Sequence, residues 1–255
     1  MMKKILSFML GAALVSIMTT TAFAESKGIV VVAGATGRTG QLVVKHLKSE
    51  GYEVRAMTRS MEKGKRVLGD DITLVQADVT KPETLPTLLE GADFLISAIG
   101  TSGGAVSPEL VDYAGSVALI DAAQAAGIKK FIMVTSGGVT WRFHPVNWFN
   151  DDVLKWKRKA EIHLRASGMT HVIVRPNGGL SDDPANENKL SFEQEDKWGG
   201  SISREDTAVV CVKALGYKEA NNKTFEIQND DDGKAVKDVG WEKTFGAMVV
   251  ESDNF

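Results

Sequence analysis

The chain has 255 residues, 43% hydrophobic and 25% charged, a balance that excludes a disordered or low-complexity polymer and allows a sizeable buried core. Thirty basic against thirty-three acidic residues give a net charge of -3, so the cationic excess of a nucleic-acid binder is missing. A single cysteine, Cys211, excludes an internal disulfide, and four histidines offer few ligands for a structural zinc.

The first 24 residues have the pattern of a secretory signal: Lys3 and Lys4, the apolar run from Ile5 to Met18, then Ala22-Phe23-Ala24 before Glu25. Cleavage is expected between Ala24 and Glu25. The apolar run is 14 residues long, short of the roughly 18 to 20 that cross a bilayer, so no stable membrane insertion is expected once the signal is removed. A periplasmic or secreted protein follows. The alternative is an internal start such as Met18, which would leave a cytoplasmic form.

From Gly28 onward, β-branched runs alternate with helical segments, the pattern of an α/β doubly wound parallel sheet. Strands are expected at Ile29 to Ala33, Glu53 to Thr58, Ile72 to Gln76, Phe94 to Ser97, Phe131 to Thr135 and Val172 to Arg175. Helices are expected at Thr39 to Ser49, Met61 to Leu68, Leu85 to Glu90, Glu109 to Ala126 and Asp152 to Ser167, most of them closed by a glycine. After Pro176 a polar stretch, Ser181 to Trp198, precedes a helix near Asp206 to Leu215, a strand at Thr224 to Gln228 and an acidic turn at Asp230 to Asp232. This is read as a small C-terminal lobe, about 177–255, on a single domain spanning 25–255.

The first strand runs directly into Gly34-Ala35-Thr36-Gly37-Arg38-Thr39-Gly40 and then an amphipathic helix. The first glycine permits a tight turn, the second lets backbone N–H groups approach a pyrophosphate, and the third allows helix and strand to pack closely. In this Rossmann-like context the loop is a dinucleotide site. An NAD site would end its second strand in an acid that bonds the free ribose hydroxyls; here the strand ends Met57-Thr58-Arg59. Arg59, with Arg38 approaching from the loop, therefore favours NADP (NADPH) over NAD. For each arginine the alternative is a solvated surface charge. Asp78 and Val79, just past the third strand, are placed to meet the adenine, the alternative for Asp78 being a helix cap before Pro82.

Further motifs follow in order: Ser97-Ala98-Ile99-Gly100, Val111-Asp112-Tyr113, Phe131 to Ser136, Trp156-Lys157-Arg158-Lys159-Ala160-Glu161, Val174-Arg175-Pro176 and Ile202 to Ala208. Together with the glycine loop they resemble the atypical short-chain dehydrogenase/reductase superfamily, in particular its NmrA-like NAD(P)H-binding branch, over nearly the whole chain after the signal. The resemblance implies that Ala98 and Gly100 border the nicotinamide ribose. It also implies that Lys157 holds that ribose and that Ser136 orients a substrate carbonyl. In catalytic members a tyrosine four residues before the lysine donates a proton. That position is Val153; taking Lys159 as the equivalent moves it to Lys155, so neither register restores the phenol and carbonyl reduction by the usual route is in doubt. For Ser136 the alternative is a strand-end hydroxyl bonded to backbone.

Between Ser136 and Lys157 stand Trp141, Phe143, His144, Trp148, Phe149 and Trp156. As walls of the nicotinamide pocket they would suit a planar quinone- or flavin-like acceptor, with His144 as a donor; the alternative is that they only pack the loop onto the sheet. His46, His163 and His171 are expected on helix or strand surfaces without carboxylate or cysteine partners and are assigned no role, and Cys211 reads as buried core. The leading expectation is an NADPH-dependent oxidoreductase acting on a small-molecule acceptor. The alternative is a non-catalytic redox sensor or assembly protein, which Val153 favours.

Overall fold

The run Ile29-Val30-Val31-Val32-Ala33 forms strand β1 (Ile29–Ala33), whose side chains leave in alternate directions: Val30 and Val32 enter one core, Val31 and Ala33 another. Being buried on both faces is why it is apolar throughout. The computed structural model describes residues 26–101, 106–185, 188–196 and 199–250, and the expected signal, 1–24, lies outside them. Around β1 the sheet is built from β2 (Glu53–Thr58), β3 (Thr73–Gln76), β4 (Phe94–Ser97), β5 (Lys130–Val134) and β6 (His171–Pro176). The strand order is β3-β2-β1-β4-β5-β6, every neighbouring pair parallel, with Val30 opposite both Val54 and Phe94. The order reverses between β1 and β4, which opens a crevice at their C-terminal ends.

Helix α1 (Arg38–Ser49) covers one face through Val43, Val44 and Leu47. The short α2 (Met61–Leu68) adds Leu68 to that side. On the other face lie α3 (Leu85–Leu89), α4 (Ser116–Ala125) and, beyond the short α5 (Pro145–Phe149), α6 (Val153–Ala166), which contribute Leu88, Leu119, Ile120, Ala160 and Leu164. One expected helix departs from a regular spiral. The stretch from Glu109 opens with a π-helical turn, Glu109–Gly115, before α4 begins. Close packing requires a glycine at its end, since a Cβ on Gly115 would lie 2.6 Å from Val79 Cγ2.

The C-terminal lobe is built onto this sheet rather than beside it. After β7 (Gly179–Ser181), β8 (Leu190–Glu193), β9 (Ser201–Ser203) and α7 (Arg204–Gly216), strand β10 (Lys223–Asn229) pairs parallel with β6 and antiparallel with β8 and β9. The stretch 181–198, expected as polar loop, therefore contains a strand. Its signal was the alternation of Leu190, buried, with Phe192, which packs on Phe225, Trp241 and Phe245. The last two lie in α8 (Trp241–Ala247), which the sequence reading missed; their four-residue spacing puts both on the inner face. Helix α7 is buried along most of its length and carries Cys211 in the core. Its C-terminal carbonyls are closed from β5, where Lys130 Nζ donates to the Ala214, Leu215 and Tyr217 oxygens at 2.8, 3.1 and 2.9 Å.

Candidate active site

The crevice at the ends of β1, β2 and β4 is a cleft of about 270 Å³. Gly34 turns into it at a φ of +80°, and a Cβ there would sit 2.6 Å from the Ala98 carbonyl oxygen. The Gly37 N–H donates to Gly34 O at 2.9 Å, and Gly40 packs so tightly that a Cβ would lie 2.1 Å from the same oxygen. Helix α1 thus starts at the cleft wall. It has no side-chain cap and no acid in its first turn, so its partial positive charge stays available to a pyrophosphate. Gly34, Thr36 and Gly37 line the cleft. Thr39 and Gly40 lie behind them in α1, where Gly40 keeps the loop close rather than facing the cleft.

At one end of the cleft stand Arg59 and Lys63. Lys63 lies in the first turn of α2, where its N–H is capped by Ser60 Oγ at 3.3 Å. Sequence reading missed it; the available signal was a second cation four residues beyond Arg59. Arg38 was expected at the same phosphate. Its guanidinium is 70% exposed, reaches Asp182 Oδ2 at 3.4 Å, an acid also bound by Arg204 at 2.6 Å, and is not among the residues lining the cleft. Asp78 and Val79 line the cleft as expected; Asp78 does not cap the helical turn at Pro82, whose N-cap position is Lys81, but closes a local turn, its Oδ1 accepting from Thr80 N and Oγ1, both at 2.9 Å.

The other end is bordered by Ala98, Gly100, Thr101 and Val111. Immediately behind Gly100, Lys157 Nζ lies 2.7 Å from Asp112 Oδ1, and a Cβ on Gly100 would be 3.5 Å from both atoms. Asp112 Oδ2 accepts from Thr101 N at 3.1 Å and from Thr101 Oγ1 at 2.8 Å. Val153 is the first residue of α6, one turn ahead of Lys157.

Ser136, past the end of β5, donates its hydroxyl to Gly137 O at 3.0 Å and is not among the residues lining the cleft. Thr135 beside it opens a buried polar chain. Its Oγ1 donates to Glu161 Oε1 at 2.6 Å, and Arg175 binds Glu161 through Nε at 3.1 Å and Nη2 at 2.6 Å. Arg175 Nη1 reaches Glu226 Oε1 at 3.0 Å. Glu226 Oε2 accepts from Asp196 N at 3.0 Å, and the Asp196 carboxylate accepts from Gly138 N and Thr140 N at 2.6 and 2.7 Å. Burial pushes the Glu226 carboxyl up to about 7, against the opposing pull of Arg175. Although burial opposes it, the charge of Arg175 is held by Glu161 and Glu226. The chain ties α6, which carries Lys157, to the loop following Ser136.

The aromatic segment does not wall the cleft. Phe143, Trp148 and Phe149 are 75, 71 and 82% exposed and Trp141 is half-exposed, and none of them is among the cleft-lining residues. His144 turns inward instead, where its Nδ1 accepts from Val146 N at 3.1 Å and caps α5. Trp156 stacks on Tyr113 with Lys159 Nζ over both rings. Two histidines expected to lack acids have them from distant segments: His46 lies 3.2 Å from Glu205 and His163 lies 2.7 Å from Asp121. His171 is buried, with Nδ1 2.9 Å from Met169 O. Cys211 is buried as expected, and burial pushes its thiol up to about 12. Among the described residues no group of three or more His, Cys, Asp or Glu side chains could hold a metal ion, and no helix is long and apolar enough to cross a membrane.

A parallel sheet whose order reverses at a glycine-lined cleft, with a helix N-terminus on one wall and two cations at one end, defines a Rossmann-like dinucleotide-binding protein. The chain belongs to the NAD(P)H-binding family, which it matches over residues 34–218, within the atypical short-chain dehydrogenase/reductase superfamily. An uncharacterised chloroplastic protein of Arabidopsis thaliana is 34% identical over 263 residues, covering 93% of this chain and 80% of the relative. Sanguinarine reductase of Eschscholzia californica is 33% identical over 259 residues, covering 84% of this chain and 94% of the relative. Among solved structures, a Bacillus halodurans protein provisionally assigned as an NAD-dependent epimerase/dehydratase superposes with a TM-score of 0.73 at 29% identity. That match covers 86% of this chain and 99% of the other.

Proposed function

We propose that this protein is an NADPH-dependent reductase of a small planar aromatic acceptor of the quinone or flavin kind. The observation that carries the cofactor choice is the pairing of Arg59 and Lys63 at one end of the cleft, with no acid at the end of β2. The glycine loop fits the rest of the group: a side chain on Gly34 or Gly40 would strike the backbone at Ala98 or Gly34, so glycine at both positions is what lets the loop close tightly and set the N-terminus of α1 at the cleft wall. When bound, the dinucleotide supplies a hydride. Arg59 and Lys63 would hold its 2′-phosphate, the N-terminus of α1 its pyrophosphate, and Lys157 the ribose next to the nicotinamide.

With valine at position 153 the chain provides no phenol, which suits an acceptor that takes its proton from water rather than an aliphatic ketone. The name of the related sanguinarine reductase agrees with reduction as the chemistry. The test is absorbance of NADPH mixed with the protein and a panel of quinones, flavins and carbonyls. Oxidation by the planar acceptors is expected; binding without oxidation by any of them would replace this reading with a second one, a non-catalytic NADPH sensor, which Val153 favours. We also propose export with cleavage after Ala24. Mass spectrometry of the native protein from fractionated cells tests it, and a full-length cytoplasmic form would refute it.

A further inference from the structure

We infer that Asp112 is a positioning residue for the cofactor: it fixes the Lys157 ammonium behind Gly100, where that ammonium holds the nicotinamide half of the dinucleotide. The inference rests on the cofactor reading above and deepens it. Three features carry it. The Asp112 side chain is wholly buried, and a buried carboxylate persists only where cations and N–H or O–H donors surround it. Its two oxygens are divided between tasks, Oδ1 lying 2.7 Å from Lys157 Nζ while Oδ2 is held by the Thr101 amide and hydroxyl. Thr101 follows directly on Gly100 at the cleft wall, so the carboxylate clamps together the end of the β4 loop and α6.

The third feature is the backbone that presents it. Asp112 lies in the π-helical turn Glu109–Gly115 rather than in a regular helix. A π turn carries an extra residue and is held only where packing repays its poorer geometry, which is why such turns gather at functional sites. Here the turn brings Val111 to the cleft wall and Asp112 against Lys157, and it closes on a glycine pressed against Val79, itself a cleft residue. A free lysine on α6 would sample many rotamers; the ion pair with Asp112 and the packing behind Gly100 keep its ammonium in one place.

The experiment is isothermal titration of Asp112→Asn with two probes, NADPH and adenosine 2′,5′-bisphosphate, which lacks the nicotinamide and its ribose. Loss of the ammonium's anchor is expected to weaken NADPH about tenfold while leaving the bisphosphate within about twofold. Lys157→Met should show the same selectivity, and the double variant should bind NADPH no worse than Lys157→Met alone, because the carboxylate acts through the lysine. Thr101→Val, which removes one hydroxyl, carries the same test with a smaller selective loss should Asp112→Asn fail to fold. Equal weakening of both probes, no weakening of NADPH, or additive losses in the double variant would overturn the inference. If the unmodified protein binds neither probe, it is the cofactor reading itself that falls.

Discussion

Arg175 on β6 holds Glu161 on α6 through two nitrogens at once, at 2.6 and 3.1 Å, with both side chains buried. Its third nitrogen reaches Glu226, so one guanidinium faces two buried carboxylates and a third, that of Asp196, lies next in the chain. Burial raises the Glu226 carboxyl against the opposing pull of Arg175, so it keeps its proton to about pH 7. The unfolded chain would release that proton near the ordinary carboxylate value of 4.5. Between these values the folded state binds the extra proton, so stability falls as pH rises from about 4.5 to about 7, by on the order of 3 kcal/mol. Glu226→Gln should flatten this part of the profile in urea denaturation measured from pH 5 to 8. Arg175→Met, which takes the guanidinium from Glu226 and leaves Glu161 with the more distant Arg165 at 3.7 Å, should cost about 3–5 kcal/mol.

The contrast between this network and β1 shows what the sequence made visible. Strands such as Ile29–Ala33 announce themselves because both faces are buried and every residue is apolar, and the glycine loop because three close approaches each exclude a side chain. Those features are local. Glu161, Arg175, Glu226 and Asp196 meet from four segments, and Asp196 bonds Gly138 across 58 positions, so nothing in the neighbouring residues marks them as partners. The same holds for His46 and Glu205, separated by 159 positions. Asp112 was visible as part of a motif, but a helical pattern does not reveal a π turn. Lys63 stood in plain view as a solvated helix residue until α2 was placed beside the cleft.

Arg59→Ala should weaken NADPH about tenfold and leave NADH unchanged, since only the former carries a 2′-phosphate. Lys63→Ala should do the same to a smaller degree, because a lysine offers a point charge where arginine offers a fork of donors. Removing both should leave a protein that no longer distinguishes the two cofactors. Calorimetric titration with each cofactor decides it, and equal affinities in the unmodified protein would remove the basis for the NADPH assignment.

Two glycines that look alike in sequence should behave differently. Gly40→Ala places a methyl 2.1 Å from the Gly34 carbonyl oxygen, a backbone atom that can yield only by opening the loop. It should lower the thermal midpoint and abolish cofactor binding together. Gly100→Ala meets only ordinary contacts of 3.5 Å with Asp112 and Lys157, so the fold should survive. The new methyl would nevertheless stand between Lys157 and the cleft. Circular dichroism melts should therefore separate the two variants, whereas NADPH titration should show a loss in both.

The chemistry turns on position 153. Val153 opens α6 four residues, about one helical turn, before Lys157, so the two positions share a face of the helix. Val153→Tyr supplies the phenol at the spacing that carbonyl-reducing relatives of this fold use, without moving Lys157 or Asp112. Reduction of simple aldehydes and ketones, expected to be undetectable in the unmodified protein, should then become measurable, because a general acid contributes roughly 10²- to 10⁴-fold when it sits in place. Quinone reduction should change little, since a quinone does not depend on a protein-borne proton at the moment of transfer. Adding Lys157→Met to Val153→Tyr should abolish the new activity by depriving the phenol of the neighbouring cation that favours its ionisation. Steady-state rates of NADPH oxidation with benzaldehyde and with a benzoquinone distinguish the cases. If the tyrosine variant binds NADPH as tightly as the parent and reduces neither aldehydes nor ketones, then the missing phenol is not what confines this site to planar acceptors.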